Sequence, residues 1–425
     1  MLINFRVENF KSYKDLKEFS MEATKLKNLK ESNTFDINNI SLLRSAVIYG
    51  ANASGKSSLL SSMSNMKQII KNSMNIETIK RYPKQTFLLN TQTENSPNFF
   101  EIQFISDNTI YHYSFTIYHK GKIESEWLKQ KKITPRAKWV ELFARKKQNI
   151  KIYTQFKEGT DLEDKTREDA LFLSVVAQFN GKISLEILKW FNQFNVLSNL
   201  ESDEFQYDSF SMLKKEKDKN KIVSFIKSAD IGISNIQIET KSFDDLSINK
   251  SSLKELPDFV LEELKENEFN TIKTEHIQYN EDNSFKQFKL FDLDIESNGT
   301  QKLLALSAPI IKALDKGEIL VIDELDNSLH TELLKAIVML FNSEETNPNN
   351  AQLIFTTHDT NLLNQKFFRR DQIWFTEKDI YGATDLYSLV EYGKGKTRDD
   401  LELAKNYLKG KFGAIPNIAL NYEVD

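Results

Sequence analysis

Gly50-Ala51-Asn52-Ala53-Ser54-Gly55-Lys56-Ser57 is the stretch on which the reading of this chain turns. It satisfies the pattern G-x-x-x-x-G-K-[ST] at every fixed position. Residues 45–49 before it read as a short buried strand. Residues 58–70 after it read as a helix, with Leu59, Leu60, Met63, Met66, Ile69 and Ile70 on one face. Strand, glycine loop and helix together form a phosphate cradle, because the loop's N–H groups and the helix N-terminus at Ser58 face an anion. Gly50 and Gly55 let the backbone turn and approach closely. Lys56, whose side chain is expected to be otherwise solvated, reaches the β- and γ-phosphates of a nucleotide. The Ser57 hydroxyl is placed to hold Mg²⁺.

A second set of residues lies far downstream. Ile319-Leu320-Val321-Ile322-Asp323-Glu324 is an apolar run ending in two acids. As a buried parallel strand it delivers Asp323 to the carboxyl end of the sheet, beside the phosphates. There Asp323 binds Mg²⁺ directly or through water, and Glu324 is the natural general base or water-orienting group. Ser297-Asn298-Gly299-Thr300-Gln301-Lys302 opens an apolar helix over 303–314. That start is either an ordinary Ser297 cap or a further anion-binding end. Gln352-Leu353-Ile354-Phe355-Thr356-Thr357-His358 reads as a buried strand ending in a histidine that can meet the γ-phosphate and the attacking water.

Taken together, these residues resemble the ABC-type ATPases in the wide sense that includes SMC proteins, double-strand-break-repair heads and OLD-type proteins. Gly50–Ser57 resembles Walker A, Ile319–Glu324 Walker B, Ser297–Gln301 the signature motif, Leu325-Asp326 the D-loop and His358 the switch histidine. Asp323-Glu324-Leu325-Asp326-Asn327-Ser328-Leu329-His330 and the late Tyr407-Leu408-Lys409-Gly410-Lys411-Phe412-Gly413-Ala414-Ile415-Pro416 narrow the likeness to the AbiL/RloA-type AAA ATPases of anti-phage abortive-infection loci. The signature departs from many relatives in carrying Asn298. The glutamine that senses the nucleotide is left between Gln85 and Gln103.

The resemblance implies an α/β fold: an ABC-ATPase-like head with a P-loop parallel or mixed sheet, an antiparallel β subdomain and an inserted helical subdomain. It implies ATP and Mg²⁺ as cofactors. Gly50, Asn52, Ala53, Ser54, Gly55, Lys56, Ser57 and Ser58 would hold the nucleotide, Ser57 and Asp323 the metal, and Glu324, His358 and Lys56 would carry the chemistry. Ser297, Gly299 and Asp326 would complete the site in a homodimer or higher homo-oligomer of ATP-sandwiched heads. It also implies a separate effector protein, a nuclease or toxin.

Composition bounds these expectations. The chain has 425 residues, 40% hydrophobic and 28% charged, which is enough for a sizeable core. It has no cysteine, so disulfides and cysteine-based zinc chemistry are excluded and a cytoplasmic home is expected. No apolar stretch approaches the ~20 residues of a membrane helix. The net charge of −4 gives no support for nucleic-acid binding. A basic stretch, Lys131, Lys132, Arg136, Lys138, Arg145, Lys146 and Lys147, reads as a solvated face or as a surface for nucleic acid or an acidic partner.

In order, the head's first half with Walker A and the β subdomain is expected over 1–165. A mainly helical insertion follows over 166–289, with Trp190, Phe191 and Phe194 as core and one helix over 257–266. The second half of the head occupies 290–425. Antiparallel strands are expected from residue 99, with Asp107-Asn108 as the first turn.

Overall fold

The computed structural model describes residues 1–197, 209–229, 232–241, 269–391 and 403–415. The chain forms two compact units, Met1–Ser198 with Ala313–Asn327 and Leu334–Asp425, and Asn199–Lys312 with Ser328–Leu333.

The first unit opens with β1 (Leu2–Glu8) antiparallel to β2 (Lys17–Ser20) and a hairpin of β3 (Thr34–Ile37) and β4 (Ile40–Leu43). Strand β5 (Ser45–Gly50) then runs into the glycine loop. A meander follows of β6 (Asn98–Ser106), β7 (Thr109–Ile117), β8 (Ile123–Lys132), β9 (Val140–Lys146) and β10 (Asn149–Ile152). With β1 and β2 it makes a seven-stranded antiparallel sheet in the order β10-β9-β8-β7-β6-β1-β2. Asp107 and Asn108 form the expected turn, both at positive φ (38° and 60°), as a two-residue hairpin of the primed type requires.

The remaining strands are β11 (Phe194–Leu197), then β12 (Asn235–Lys241), β13 (Phe269–Tyr279) and β14 (Phe285–Asp292) in the second unit, and finally β15 (Ile319–Ile322), β16 (Gln352–Thr356), β17 (Ile373–Lys378) and β18 (Thr384–Ser388). The second sheet of the first unit has the order β11-β15-β16-β5-β17-β18 and is parallel except for β18. Strands β5, β15 and β16 are buried along their whole length, which suits apolar runs covered on both faces. Strand β5 sits between β16 and β17, with Ile48 opposite Thr356 and Gly50 opposite Thr376. The carboxyl ends of β5, β15 and β16 therefore emerge side by side, where open α/β sheets bind ligands. The helix Lys56–Asn72 buries all six of the apolar residues expected on its face.

The expectation of a mainly helical insertion from residue 166 is corrected at Phe194. Phe172–Gln178 and Lys182–Asn192 are helical, and Trp190 stacks on Phe104 at 4.1 Å. Phe194, however, opens β11. Its four-residue strand pairs with β15, and the Ile319 and Asp323 N–H groups donate to the Gln193 and Leu197 carbonyls. Trp190 and Phe194 share helical i, i+4 spacing, but the pairing with β15 decides. The second unit accordingly starts at Asn199 rather than at residue 166. Its described part is mixed rather than mainly helical. A β12-β13-β14 antiparallel sheet buries Ile236 and Ile272 with Ile222 and Ile226 of the helix Glu216–Ser228 and Leu303. The helix expected over 257–266 lies outside the described residues. Among the described residues no helix is long and apolar enough to cross a membrane.

The basic stretch is partly absorbed by the antiparallel sheet. Arg145 and Glu126 are fully buried side chains 3.6 Å apart. Glu126 also accepts from the Tyr113 hydroxyl and from the N–H groups of Phe172 and Leu173, closing the start of the helix Phe172–Gln178. Lys129 pairs with Glu141, and the Lys132 ammonium donates to the Thr109 hydroxyl. Removing one partner of a buried pair leaves the other uncompensated. Glu126→Ala is therefore expected to destabilise the protein by about 3–5 kcal/mol, read as a lower urea midpoint. An unchanged midpoint would show that this carboxylate is dispensable.

Candidate nucleotide-binding site

The glycine loop is shaped by contacts on both sides. A Cβ on Gly50 would lie 2.4 Å from the Ser54 and Thr376 hydroxyl oxygens, so close packing requires glycine there. Gly55 has φ +115°, a backbone that side chains rarely adopt. Around the loop, the Ser54 and Thr376 hydroxyls lie 2.6 Å apart. The Thr384 hydroxyl donates to the Ser54 carbonyl at 2.9 Å and the buried Tyr13 hydroxyl to the Gly55 carbonyl at 3.1 Å.

Lys56 is only 5% exposed, which corrects the expectation of a solvated side chain. Its ammonium donates to the Gly50 and Ala51 carbonyls at 2.9 and 3.1 Å, because the loop curls over its own lysine. Burial pulls the Lys56 pKa down, and the Asp323, Glu324 and Asp326 carboxylates oppose that shift.

An open cavity of about 580 Å³ lies over the loop, within the range of small-molecule sites. Asn52 to Ser58 line it together with Glu324 and His358. Asn52–Ser58, Glu324 and His358 thus share one cavity. Asp323 and Asp326 act on the same lysine and on His358. Asp326 Oδ2 accepts from the His358 backbone N–H at 3.0 Å, which ties the turn after β15 to the end of β16.

Sequence reasoning missed Lys11, Ser12 and Lys378, which also line the cavity. Lys11 has φ +49° in the turn after β1, and burial lowers its pKa against the pull of Asp323. Lys11 and Ser12 belong to no phosphate-binding pattern, and the charge of Lys11 was the one signal available. Thr376 and Thr384 carry no local signal, because their partners lie more than three hundred positions away. Of the two glutamines left open, Gln103 lies within β6 with its amide against His112. The Gln85 carbonyl accepts from the Lys11 N–H at 2.7 Å.

Ser297 and Gly299 lie in the second unit. The Ser297 hydroxyl accepts from the Thr300 N–H at 3.2 Å, the geometry of a helix cap. A Cβ on Gly299 would stand 2.7 Å from the Ser328 carbonyl. Both residue types therefore have local reasons.

A hydroxyl at Ser57 and a carboxylate at Asp323 are hard oxygen donors, the chemistry that Mg²⁺ takes. Among the described residues no cluster of three or more His, Asp or Glu stands ready to hold a metal by itself.

His358 is held below the ordinary imidazole range by desolvation and then by the Lys56 charge. Because its folded pKa lies below the unfolded value near ~6.5, the unfolded chain takes up a proton first as pH falls, and stability is lost. Urea melts from pH 7 to pH 5 are expected to show a steeper loss for the wild type than for His358→Gln. Equal slopes would refute this electrostatic setting.

Two solved structures are similar to this chain. One, described as "Crystal structure of the SmcHead bound to the C-winged helix domain of ScpA", is 13% identical with a TM-score of 0.46, covering 91% of this chain and 97% of that one. The other, "SMC head domain from Thermotoga maritima", is 12% identical with a TM-score of 0.41, covering 91% and 98%. No curated protein matches the chain. A family model described as "AAA domain, putative AbiEii toxin, Type IV TA system" matches residues 45–364. That match runs from β5 past His358 and takes in most of the 425 residues, so the chain belongs to this AAA-domain family.

Proposed function

We propose that this chain binds Mg-ATP over the Gly50–Ser57 loop and hydrolyses it. The observation that carries the reading is the convergence of Lys56, Ser57, Glu324 and His358 on one cavity, from the segments that follow the neighbouring strands β5, β15 and β16. Lys56 and the loop N–H groups bind the β- and γ-phosphates. Ser57 and Asp323 hold Mg²⁺, which supplies charge neutralisation on those phosphates. Glu324 accepts the proton of the attacking water, and His358 donates a hydrogen bond toward the γ-phosphate. ATPase assays on the wild type and on Lys56→Ala test the reading. Equal rates in the two would overturn it.

The active unit in this reading is a nucleotide-sandwiched homodimer, each chain offering Ser297 and Gly299 to the other's nucleotide. Its setting is anti-phage defence, where this chain is the sensor or scaffold and a separate effector carries the harmful chemistry. The AbiL/RloA resemblance and the family description support that setting. Co-purification with the product of the neighbouring gene tests it, and a DNA-maintenance enzyme in that place would count against it.

The rival reading, an ATPase head on duplex DNA, loses support where Arg145 is buried against Glu126. Neutralising Lys131, Lys132, Lys146 and Lys147 together is expected to leave basal ATPase within about twofold, because surface substitutions away from a site have small effects. A DNA clamp would instead bind duplex with a steep salt dependence that these changes flatten.

A further inference from the structure

Thr356, the last residue of β16, is fully buried beside the turn that follows β15 and carries Asp323 and Glu324. Its hydroxyl donates to Asp323 Oδ1 at 2.6 Å and accepts from the Glu324 N–H at 2.7 Å. Its carbonyl accepts from the Leu325 N–H at 3.1 Å. One residue thus holds three consecutive positions of the turn that follows β15. The same turn carries Glu324 at φ +48°, a left-handed backbone uncommon for a residue with a side chain. In that conformation Glu324 lines the cavity over the loop.

We propose that Thr356 is a positioning residue that sets both the metal-binding carboxylate and the hydrolytic base, an inference that rests on the ATPase reading above. A hydroxyl has one proton to give and lone pairs to receive. Here the proton goes to Asp323 Oδ1, which fixes the carboxylate's rotation and leaves Oδ2 for an ion. A lone pair takes the Glu324 N–H, which secures the left-handed turn. Valine has nearly the shape of threonine and can do neither. Without the hydroxyl, the Glu324 N–H loses its partner, the turn relaxes and the carboxylate leaves its line to the γ-phosphate. Misplacement of a reacting group by about 1 Å can cost ~10²-fold in rate. The hydrogen bonds of this hydroxyl run to residues 323 and 324 rather than to the phosphate loop, so nucleotide binding without metal is expected to be untouched.

The test compares Thr356→Val and Thr356→Ser with the wild type. It measures kcat, KM, nucleotide affinity without divalent ion, and Mn²⁺ affinity by electron paramagnetic resonance with a non-hydrolysable ATP analogue. Thr356→Val is expected to lose ~10²-fold in kcat and to bind Mn²⁺ more weakly, with metal-free nucleotide affinity unchanged. Thr356→Ser keeps the hydroxyl and is expected to stay within a few-fold of the wild type in both readouts. Should the valine variant fail to fold, Thr356→Ala takes its place in the comparison. Wild-type kcat and Mn²⁺ affinity in Thr356→Val, or a serine variant as impaired as the valine one, would overturn the proposal. Lys56→Ala is run alongside. If it still turns over ATP, the ATPase reading fails. If it is dead while Thr356→Val is normal, only the role of Thr356 fails.

Discussion

Glu324→Gln is expected to slow ATP turnover by ~10²–10⁴-fold, the usual cost of losing a general base, while leaving ATP bound. Glutamine keeps the length and hydrogen bonding of the glutamate side chain, and the backbone contacts of residues 324 and 325 with Thr356 do not involve it. Lys56 and the loop, which hold the phosphates in this reading, are untouched. The variant should accumulate with nucleotide in place, and the two-fold assembly should persist with it. Ser297→Arg probes the same assembly from the other side. The Ser297-Asn298-Gly299 helix start has no phosphate of its own in the sequence. A two-fold axis would give it one in the partner's site. An arginine there should block sandwich formation and lower the ATPase rate while the monomer still binds ATP. Light scattering of both variants with and without Mg-ATP reads the assembly. A normal hydrolysis rate in Ser297→Arg would remove the trans site.

Lys56→Ala should weaken ATP binding by about 10- to 10²-fold, since a charge-assisted hydrogen bond contributes about 1.5–3 kcal/mol and each 1.4 kcal/mol is tenfold. The structure adds a second effect. The Lys56 ammonium already engages the Gly50 and Ala51 carbonyls, so its loss leaves two acceptors of the loop without this donor. A stability cost of about 1–3 kcal/mol is expected from unsatisfied buried groups. Calorimetric titration with a non-hydrolysable analogue, alongside thermal melting, separates the two effects. Unchanged affinity in a folded variant would take the phosphate-binding role from this loop.

Lys56 also shows where the sequence was silent. The pattern around it made the strand, the loop and the buried face of the following helix legible, because glycine spacing and helical period are local properties. The runs ending in Asp323 and at Thr356 were legible for the same reason: continuous apolar strands announce burial on both faces. The burial of Lys56 was not legible, since it depends on how the loop folds over its own side chain. Phe194 was misread because its neighbours fit a helical period, while its actual partner, Ile319, lies in another segment. Arg145 looked like surface charge in a basic run, and only the sheet brings Glu126 opposite it. Tyr13, Thr376 and Thr384, which brace the loop, meet it across pairings that no local period records.

The position of β5 between β16 and β17 has a consequence for biosynthesis. All seven strands of the antiparallel sheet are made by Ile152, and that sheet can form while the ribosome is still working. Strand β5 has to wait with both edges open until Gln352 and Ile373 have emerged, roughly 15–60 s later at ~5–20 residues per second. During that interval the nascent chain carries a glycine loop that no sheet supports, so it cannot hold nucleotide. On the ATPase reading, nucleotide capture thereby becomes a late checkpoint of synthesis. A ribosome-stalled chain ending before β16 should fold its antiparallel sheet and fail to retain ATP, and chaperones would be drawn to the bare edges of β5.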